Sequence, residues 1–137
     1  MPRFSELSLF KLASCHPELQ LLFNTVIQTI DCTIMEGHRD QAAQEAAFAN
    51  GTTKLHYPHG KHNAMPSLAV DCVPFPVPRW ERTMDFIYFG GLVMGIAIQL
   101  KAQDKMKYNL KYGGDFNSNY RISDSSFFDL VHFQLME

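Results

Sequence analysis

The stretch HGKHNAMPSLAVDCVP, residues 59–74, places a turn-rich segment that contains histidines directly before an apolar, β-prone segment. His62 lies in the first part and Asp71 in the second, and imidazole and carboxylate groups are ligands that zinc takes in hydrolytic sites. A catalytic zinc ion needs three protein ligands and one open position, and a short loop that leads into a strand can hold two of them rigidly. The stretch therefore predicts part of a metal site.

The best supplier of a third ligand is the C-terminal run DLVHFQL, residues 129–135. We expect residues 127–135 to form the last strand, in which Asp129 and His132 point to opposite faces. An Asp-x-x-His pair also arises readily by chance. From spacing alone, ordinary surface or core histidines are therefore the commoner explanation of this pattern.

Length, charge and cysteine content limit the class of protein. With 137 residues and a formal net charge of −2, the chain is long enough for one domain with its own core. It has no basic patch or run, so no nucleic-acid partner is expected. Its three cysteines include no Cys-x-x-Cys pair, which indicates reduced thiols and synthesis in a reducing cytoplasm.

The sequence predicts no membrane insertion. Residues 1–6 lack the apolar core of a signal peptide. The most apolar stretch, residues 86–100, is only fifteen residues long and contains three glycines, so it falls short of a bilayer span. We interpret this stretch as part of a buried helix.

The order of the expected elements predicts an α+β fold with a small, mainly antiparallel sheet, two long helices and one short helix. Apolar residues recur at helical spacing in the two long segments, and Asp40 and Asn50-Gly51 can begin and end the short one. Residues 1–14 are expected to be an irregular arm. The predicted helices cover residues 17–31, 41–49 and 80–104, and the predicted strands cover residues 32–35, 67–73, 108–112 and 127–135.

Four motifs occur in an order and spacing shared with a known group of enzymes. They are EGHR at residues 36–39 with Gln44, KHN through PSLAVD at residues 61–71, YGGDF at residues 112–116, and DxxHF at residues 129–133. The chain resembles the D-alanyl-D-alanine carboxypeptidase/hedgehog-type zinc metallopeptidases, most closely the phage L-alanyl-D-glutamate peptidases used as endolysins. The resemblance covers nearly the whole chain, and four ordered motifs are far more specific than any one of them.

This resemblance implies a Zn²⁺ site and a role for each matching residue. It assigns His62, Asp71 and His132 as the zinc ligands and Asp129 as the catalytic acid or base. Arg39 stands where the family places an arginine that binds substrate and stabilises the transition state, and Gln44 is expected to support that turn. For Asp129 and His132 to reach one metal ion, the backbone between them must twist or bulge out of an ideal strand.

The implied activity is that of a zinc-dependent peptidoglycan hydrolase that cuts the L-Ala–D-Glu bond of stem peptides. We expect one catalytic domain over residues 1–137, without a separate wall-binding domain, and a monomer. It would be made in the host cytoplasm without a signal peptide and would act on the cell wall after release, or from a virion. A D-alanyl-D-alanine carboxypeptidase or dipeptidase and a catalytically silent wall-binding or virion module are the alternatives.

Some positions depart from the family pattern. Gly60 stands where the family usually has a serine, and Val131 and Gln134 replace a common proline and glutamate around His132. Eight residues separate His62 from Asp71, two more than the commonest family spacing. None of these departures removes a ligand or the base; they concern the loop and the groups that surround the ligands.

Overall fold

The structure is a computed structural model that describes residues 2–122 and 129–136. Its helices are α1 (Glu6–Ala13), α2 (Pro17–Val26), α3 (Gln41–Ala49) and α4 (Thr83–Ala102), and a short 3-10 turn covers Lys61–Asn63. Its strands are β1 (Cys32–Glu36), β2 (Ala69–Pro74), β3 (Asn109–Tyr112) and β4 (His132–Met136). The prediction of an α+β fold with a small antiparallel sheet is confirmed.

The strands form a single sheet in the order β1-β2-β4-β3, and each neighbouring pair is antiparallel. In the register of β2 and β4, Asp71 lies directly opposite His132. Because these are the two central strands, the sheet joins the stretch of residues 59–74 to the C-terminal run.

One face of the sheet is apolar and packs against α2 and α4. The buried core on this face includes Phe23, Val70, Cys72, Val93, Phe133 and Leu135. Successive residues of a strand point to opposite faces, so Asp71, His132 and Gln134 point away from this core. The polar residues of the central strands therefore share the other face of the sheet.

The expectation of an irregular arm over residues 1–14 is wrong, because Glu6–Ala13 forms α1. Ser5 caps this helix by accepting a hydrogen bond from Ser8 N at 3.1 Å. The helix buries few of its apolar residues, and Leu7 and Phe10 are 62% and 77% exposed. Its apolar residues therefore do not form the single buried stripe by which a sequence predicts an amphipathic helix.

The predicted ends of the other helices agree with the structure to different degrees. The third helix covers the predicted residues 41–49, and Asp40 caps it by accepting from Ala43 N at 2.8 Å. The second was predicted over residues 17–31 but ends at Val26. Ile27 and Ile30 continue its apolar spacing in the turns that lead into β1, which explains the overestimate.

The last strand begins at His132 rather than at residue 127. Residues 127 and 128 of the predicted strand lie outside the described residues. The next three, 129–131, form a turn in which His132 N donates to Asp129 O at 3.2 Å. Asp129 N also donates to Gly113 O at 2.8 Å, so contact with the end of β3 fixes this turn.

The long helix α4 has 20 residues rather than the fifteen of its most apolar stretch. By length and composition alone it is long and apolar enough to cross a membrane, so the expectation that this segment is too short for a span is wrong. One side of it, including Phe86, Phe89 and Val93, is buried, while Met84 and Tyr88 are exposed. The helix is thus only partly buried. The absence of membrane insertion stays a prediction.

Candidate metal centre

The structure brings together the three residues that the sequence indicates as metal ligands. His62 lies in the 3-10 turn, Asp71 in β2 and His132 at the start of β4. Asp71 Oδ1 is 3.2 Å from His62 Nε2 and 3.2 Å from His132 Nδ1. Within the described part of the chain, no other group of three or more His, Cys, Asp or Glu side chains is arranged to hold a metal ion.

The spacing of these donor atoms fits a small tetrahedral metal ion. One ligand atom from each residue lies within 4.8 Å of the others. For zinc bonds of about 2.0–2.1 Å, tetrahedral geometry places neighbouring ligand atoms about 3.3 Å apart. Two imidazoles and one carboxylate also leave room for a fourth, non-protein ligand, which is the arrangement of catalytic rather than structural zinc sites.

The orientation of His62 is set by the turn that follows β1. His62 Nδ1 lies 2.7 Å from Gly37 O, so the Nδ1–H donates to this carbonyl and Nε2 faces Asp71. A side chain at Gly37 would overlap Lys11 O and Ser14 Oγ, so this close approach of α1 requires glycine. The end of α1 thereby fixes the carbonyl that orients a candidate ligand.

Asp71 and His132 each shift the pKa of the other towards its charged form. Burial alone would raise the pKa of Asp71, but hydrogen bonds from His132 and His62 outweigh it and hold that pKa well below its usual range. Burial would lower the pKa of His132, but the hydrogen bond and charge of Asp71 raise it. A negatively charged Asp71 at neutral pH is the form that binds a metal cation.

Asp129 lies beside the cluster in the turn before β4. Its Oδ1 accepts a hydrogen bond from Val131 N at 3.4 Å, and its backbone is held by Gly113. Burial raises the pKa of Asp129, and the negative charge of Asp71 raises it further. In an ideal strand, Asp129 and His132 would point to opposite faces. The turn at residues 129–131, rather than a twisted strand, brings Asp129 close to His132.

Arg39 is oriented by two different acceptors. Its Nη2 is 2.8 Å from Glu36 Oε2, and its Nη1 donates to Gln44 Oε1 at 3.0 Å. Burial would lower the pKa of Arg39, but the hydrogen bond and charge of Glu36 outweigh it, and the charges of Asp71 and Asp129 add to the increase. The guanidinium is therefore a fixed positive charge on the same side as the two aspartates.

Gln44 connects Arg39 to the loop that carries His62. It is completely buried, and its Oε1 also accepts from Asn63 Nδ2 at 3.2 Å. Its own Nε2 donates to Leu55 O at 2.6 Å, and Asn63 Oδ1 accepts from Gly60 N at 2.8 Å. Gln44 thus links α3, the arginine turn and the loop, which agrees with the expected supporting role.

One contact of the cluster was not predicted from the sequence. His132 Nε2 lies 2.9 Å from Gln134 Oε1. Gln134 was noted only as a departure from a family pattern, although residues two apart on a strand share a face. That spacing was the signal that would have placed Gln134 next to His132.

A carboxylate and a histidine on one face of an antiparallel sheet are joined here by a second histidine from the 3-10 turn. With a second buried carboxylate and an arginine nearby, this set is typical of a metal-dependent hydrolase. Residues 1–136 match the family model described as phage L-alanyl-D-glutamate peptidase, and the chain belongs to this family. The resemblance that the four motifs indicate is therefore confirmed, and the family is one of peptidases.

Solved structures support the same fold. The crystal structure of the L-Ala D-Glu endopeptidase ChiX of Serratia marcescens is similar, with a TM-score of 0.72 and 22% sequence identity. The similarity covers 98% of this chain and 90% of that chain. No curated protein matches the chain.

Proposed function

We propose that this protein is a zinc-dependent peptidoglycan hydrolase that cuts the L-Ala–D-Glu bond of stem peptides. The observation that carries the proposal is the cluster of His62, Asp71 and His132, with Asp129 beside it, in a chain of the phage L-alanyl-D-glutamate peptidase family. The three clustered residues would hold Zn²⁺. Asp129 would act as the general base and acid, and Arg39 would bind the substrate.

The side chains provide the conditions that such a site needs. When bound, zinc would supply the Lewis-acid charge that polarises a peptide carbonyl and makes water nucleophilic near neutral pH. Asp71 is charged and each histidine has one ring nitrogen directed at it, so all three residues can offer a lone pair to one ion.

Asp129 is suited to move the proton of the reaction. It accepts a proton from the attacking water and passes this proton to the leaving amine, which is the α-amino group of D-Glu. Burial and the charge of Asp71 raise its pKa, which makes it a stronger base than an ordinary carboxylate. A site that only held a structural metal ion would need no base, so it would need no second carboxylate beside Asp71.

Arg39 is suited to hold negative charge on the substrate. Its guanidinium is fixed by Glu36 and Gln44, so it does not need to be ordered when the substrate binds. It would stabilise the oxyanion that develops at the scissile carbonyl, or bind a carboxylate of the stem peptide.

The remaining features of the proposal concern the whole protein. We propose that residues 1–137 form a single catalytic domain and that this domain acts as a monomer. It would be made in the host cytoplasm and would reach the wall after release from the cell, or as part of a virion.

The test is digestion of purified peptidoglycan by the zinc-loaded protein, followed by mass spectrometry of the products. We expect new peptides with N-terminal D-Glu, together with glycan that keeps L-Ala. Asp129→Asn and chelation should each abolish these products. Asp104→Asn makes the same chemical change in a turn after α4, where φ of 59° is tolerated by asparagine, and should leave cleavage unchanged.

Other outcomes would contradict the proposal in different ways. Release of terminal D-Ala alone would indicate a carboxypeptidase. The absence of cleavage on walls of several chemotypes would indicate a silent wall-binding or virion module. Undiminished cleavage by Asp129→Asn would exclude Asp129 as the base.

A further inference from the structure

The side chain of Gln134 contacts a candidate ligand, His132, from outside the cluster of His62, Asp71 and His132. It lies two residues after His132 on β4 and points to the same face of the sheet. In the strand register it lies opposite Ala69 on one side and Lys111 on the other. Gln134 Oε1 is 2.9 Å from His132 Nε2.

This contact favours hydrogen on Nε2 of His132, the ring nitrogen that faces Gln134 rather than Asp71. A neutral imidazole has one N–H and one lone pair, so hydrogen on Nε2 leaves the lone pair on Nδ1. It is Nδ1 that faces Asp71 Oδ1, at 3.2 Å. An acceptor beside Nε2 therefore favours the tautomer that can bind a metal at the cluster.

The amide orientation of Gln134 follows from the same requirement. The NH₂ group of Gln134 points to Met136 Sδ, at 3.7 Å, and its oxygen points to His132. In the reversed orientation an N–H of the amide would face Nε2, which would favour a lone pair there and hydrogen on Nδ1. That tautomer has no lone pair for a metal at the cluster.

The two histidines of the cluster are held in opposite tautomers. His62 donates from Nδ1 to Gly37 O and presents Nε2, whereas His132 donates from Nε2 to Gln134 and presents Nδ1. The acceptor for His62 is a backbone carbonyl, which a substitution does not remove. The acceptor for His132 is a side chain, so its effect can be changed by mutation.

We propose that Gln134 is a positioning residue that fixes the tautomer and ring orientation of His132 and thereby sets the metal affinity of the site. This inference rests on the zinc site proposed above. An amide oxygen is a weaker acceptor than a carboxylate, so Gln134 gives His132 less ligand basicity than a glutamate would. Glutamate at this position should therefore strengthen zinc binding, and an apolar residue should weaken it.

The experiment measures the zinc dissociation constant by competition with a chromogenic chelator, at one pH, for the wild type and three variants. Gln134→Leu should raise this constant roughly 10- to 100-fold. Gln134→Glu keeps an acceptor and should bind zinc as tightly as the wild type or more tightly. Gln99→Leu is the matched control, because Gln99 is exposed on α4, and its dissociation constant should equal that of the wild type.

A spectroscopic measurement separates positioning from general stability. Long-range ¹H–¹⁵N correlation spectra of the zinc-loaded wild type should show hydrogen on Nε2 of His132 and on Nδ1 of His62. In Gln134→Leu, the His132 signals should show loss of the Nε2 hydrogen bond, while those of His62 stay unchanged. If Gln134→Leu does not fold, the wild-type spectra and the affinity of Gln134→Glu still test the inference.

The outcomes distinguish this inference from the zinc site itself. Zinc binding by the wild type with an unchanged dissociation constant in Gln134→Leu would overturn only the role of Gln134. Weaker binding by Gln134→Glu than by the wild type would also overturn it. Failure of the wild type to bind zinc would overturn both the site and the inference.

Discussion

The pKa values of the two aspartates of the site are shifted in opposite directions, although burial alone would raise both. The pKa of Asp71 is well below its usual range because of its hydrogen-bonding contacts with His132 and His62, whereas burial and the charge of Asp71 raise the pKa of Asp129. Carboxylates whose pKa values are pushed apart can take different roles in one reaction. Here the first is suited to binding a cation and the second to moving a proton.

The raised pKa of Asp129 predicts a stability cost that depends on pH. Ionisation of Asp129 is less favourable in the folded than in the unfolded protein, so the cost is complete above its folded pKa and disappears below its unfolded pKa of about 3.9. Asp129→Asn removes this charge. We expect the metal-free variant to melt on the order of a few degrees higher than the wild type at pH 7.

This difference in melting temperature should shrink as the pH falls through the raised folded pKa of Asp129, because the wild-type carboxylate then becomes protonated in the folded state. Thermal melts of both proteins across this pH range measure it. Asp104→Asn, at an exposed turn residue, serves again as the control. A constant difference at every pH would show that charge is not its cause.

Arg39 tests whether the site needs a fork of donors or only a positive charge. Its two terminal nitrogens bind Glu36 and Gln44 separately, and a lysine ammonium cannot reproduce this planar arrangement. We expect Arg39→Lys to lower kcat/KM on muropeptides by on the order of 100-fold. Arg79→Lys, at a residue whose side chain is 84% exposed, should have wild-type kinetics, and equal kinetics for both variants would contradict the proposed role.

At the scale of elements, the contact of α4 with β3 supports the turn that carries Asp129. Tyr112 of β3 donates from its hydroxyl to Leu130 O at 2.9 Å, and its ring packs against Gly90 of α4. A side chain at Gly90 would overlap this ring. The helix therefore affects the position of Asp129 through one tyrosine.

Two adjacent glycines of α4 give a matched test of this contact. Gly90→Ala should lower the free energy of unfolding by about 1–3 kcal/mol, because the added methyl group meets the Tyr112 ring. Gly91 has nothing within 4 Å of an added Cβ, so Gly91→Ala should raise that free energy by about 0.5–1 kcal/mol. Urea titrations measure both, and destabilisation by Gly91→Ala would contradict this account of the helix.

On the scale of the whole molecule, a metal ion at the cluster would connect distant parts of the chain. His62, Asp71 and His132 belong to the 3-10 turn, β2 and β4. An ion that binds only the folded protein stabilises it, by about 2.7 kcal/mol at a free concentration 100 times its dissociation constant. For a chain of this length, we expect zinc to raise the melting temperature on the order of 10 °C.

Zinc titration monitored by differential scanning fluorimetry tests this prediction, and a chelator should reverse the shift. His62→Gln should remove most of it. His56→Gln makes the same change at an exposed histidine that pairs with Glu45, and should keep the full shift. An equal shift in both variants would show that zinc acts somewhere other than the cluster.

Local sequence determined those elements whose signals are local. The third helix was predicted with its correct ends because Asp40 caps it and Asn50-Gly51 follows it. The first helix was missed because its apolar residues are mostly exposed, and its place against β1 depends on Ser8 Oγ accepting from Ile34 N at 3.1 Å. A contact between residues so far apart leaves no periodic pattern in the sequence.

The sequence by itself also named the candidate ligands, the base and the arginine, because four ordered motifs carry them. Only the tertiary structure decided how these residues meet: Asp71 opposite His132 through strand register, His62 on the carbonyl of Gly37, and Asp129 in a turn rather than a strand. The first two pairs are 61 and 25 residues apart in the chain. Their geometry follows from packing and backbone pairing between distant segments, which local residue preferences do not specify.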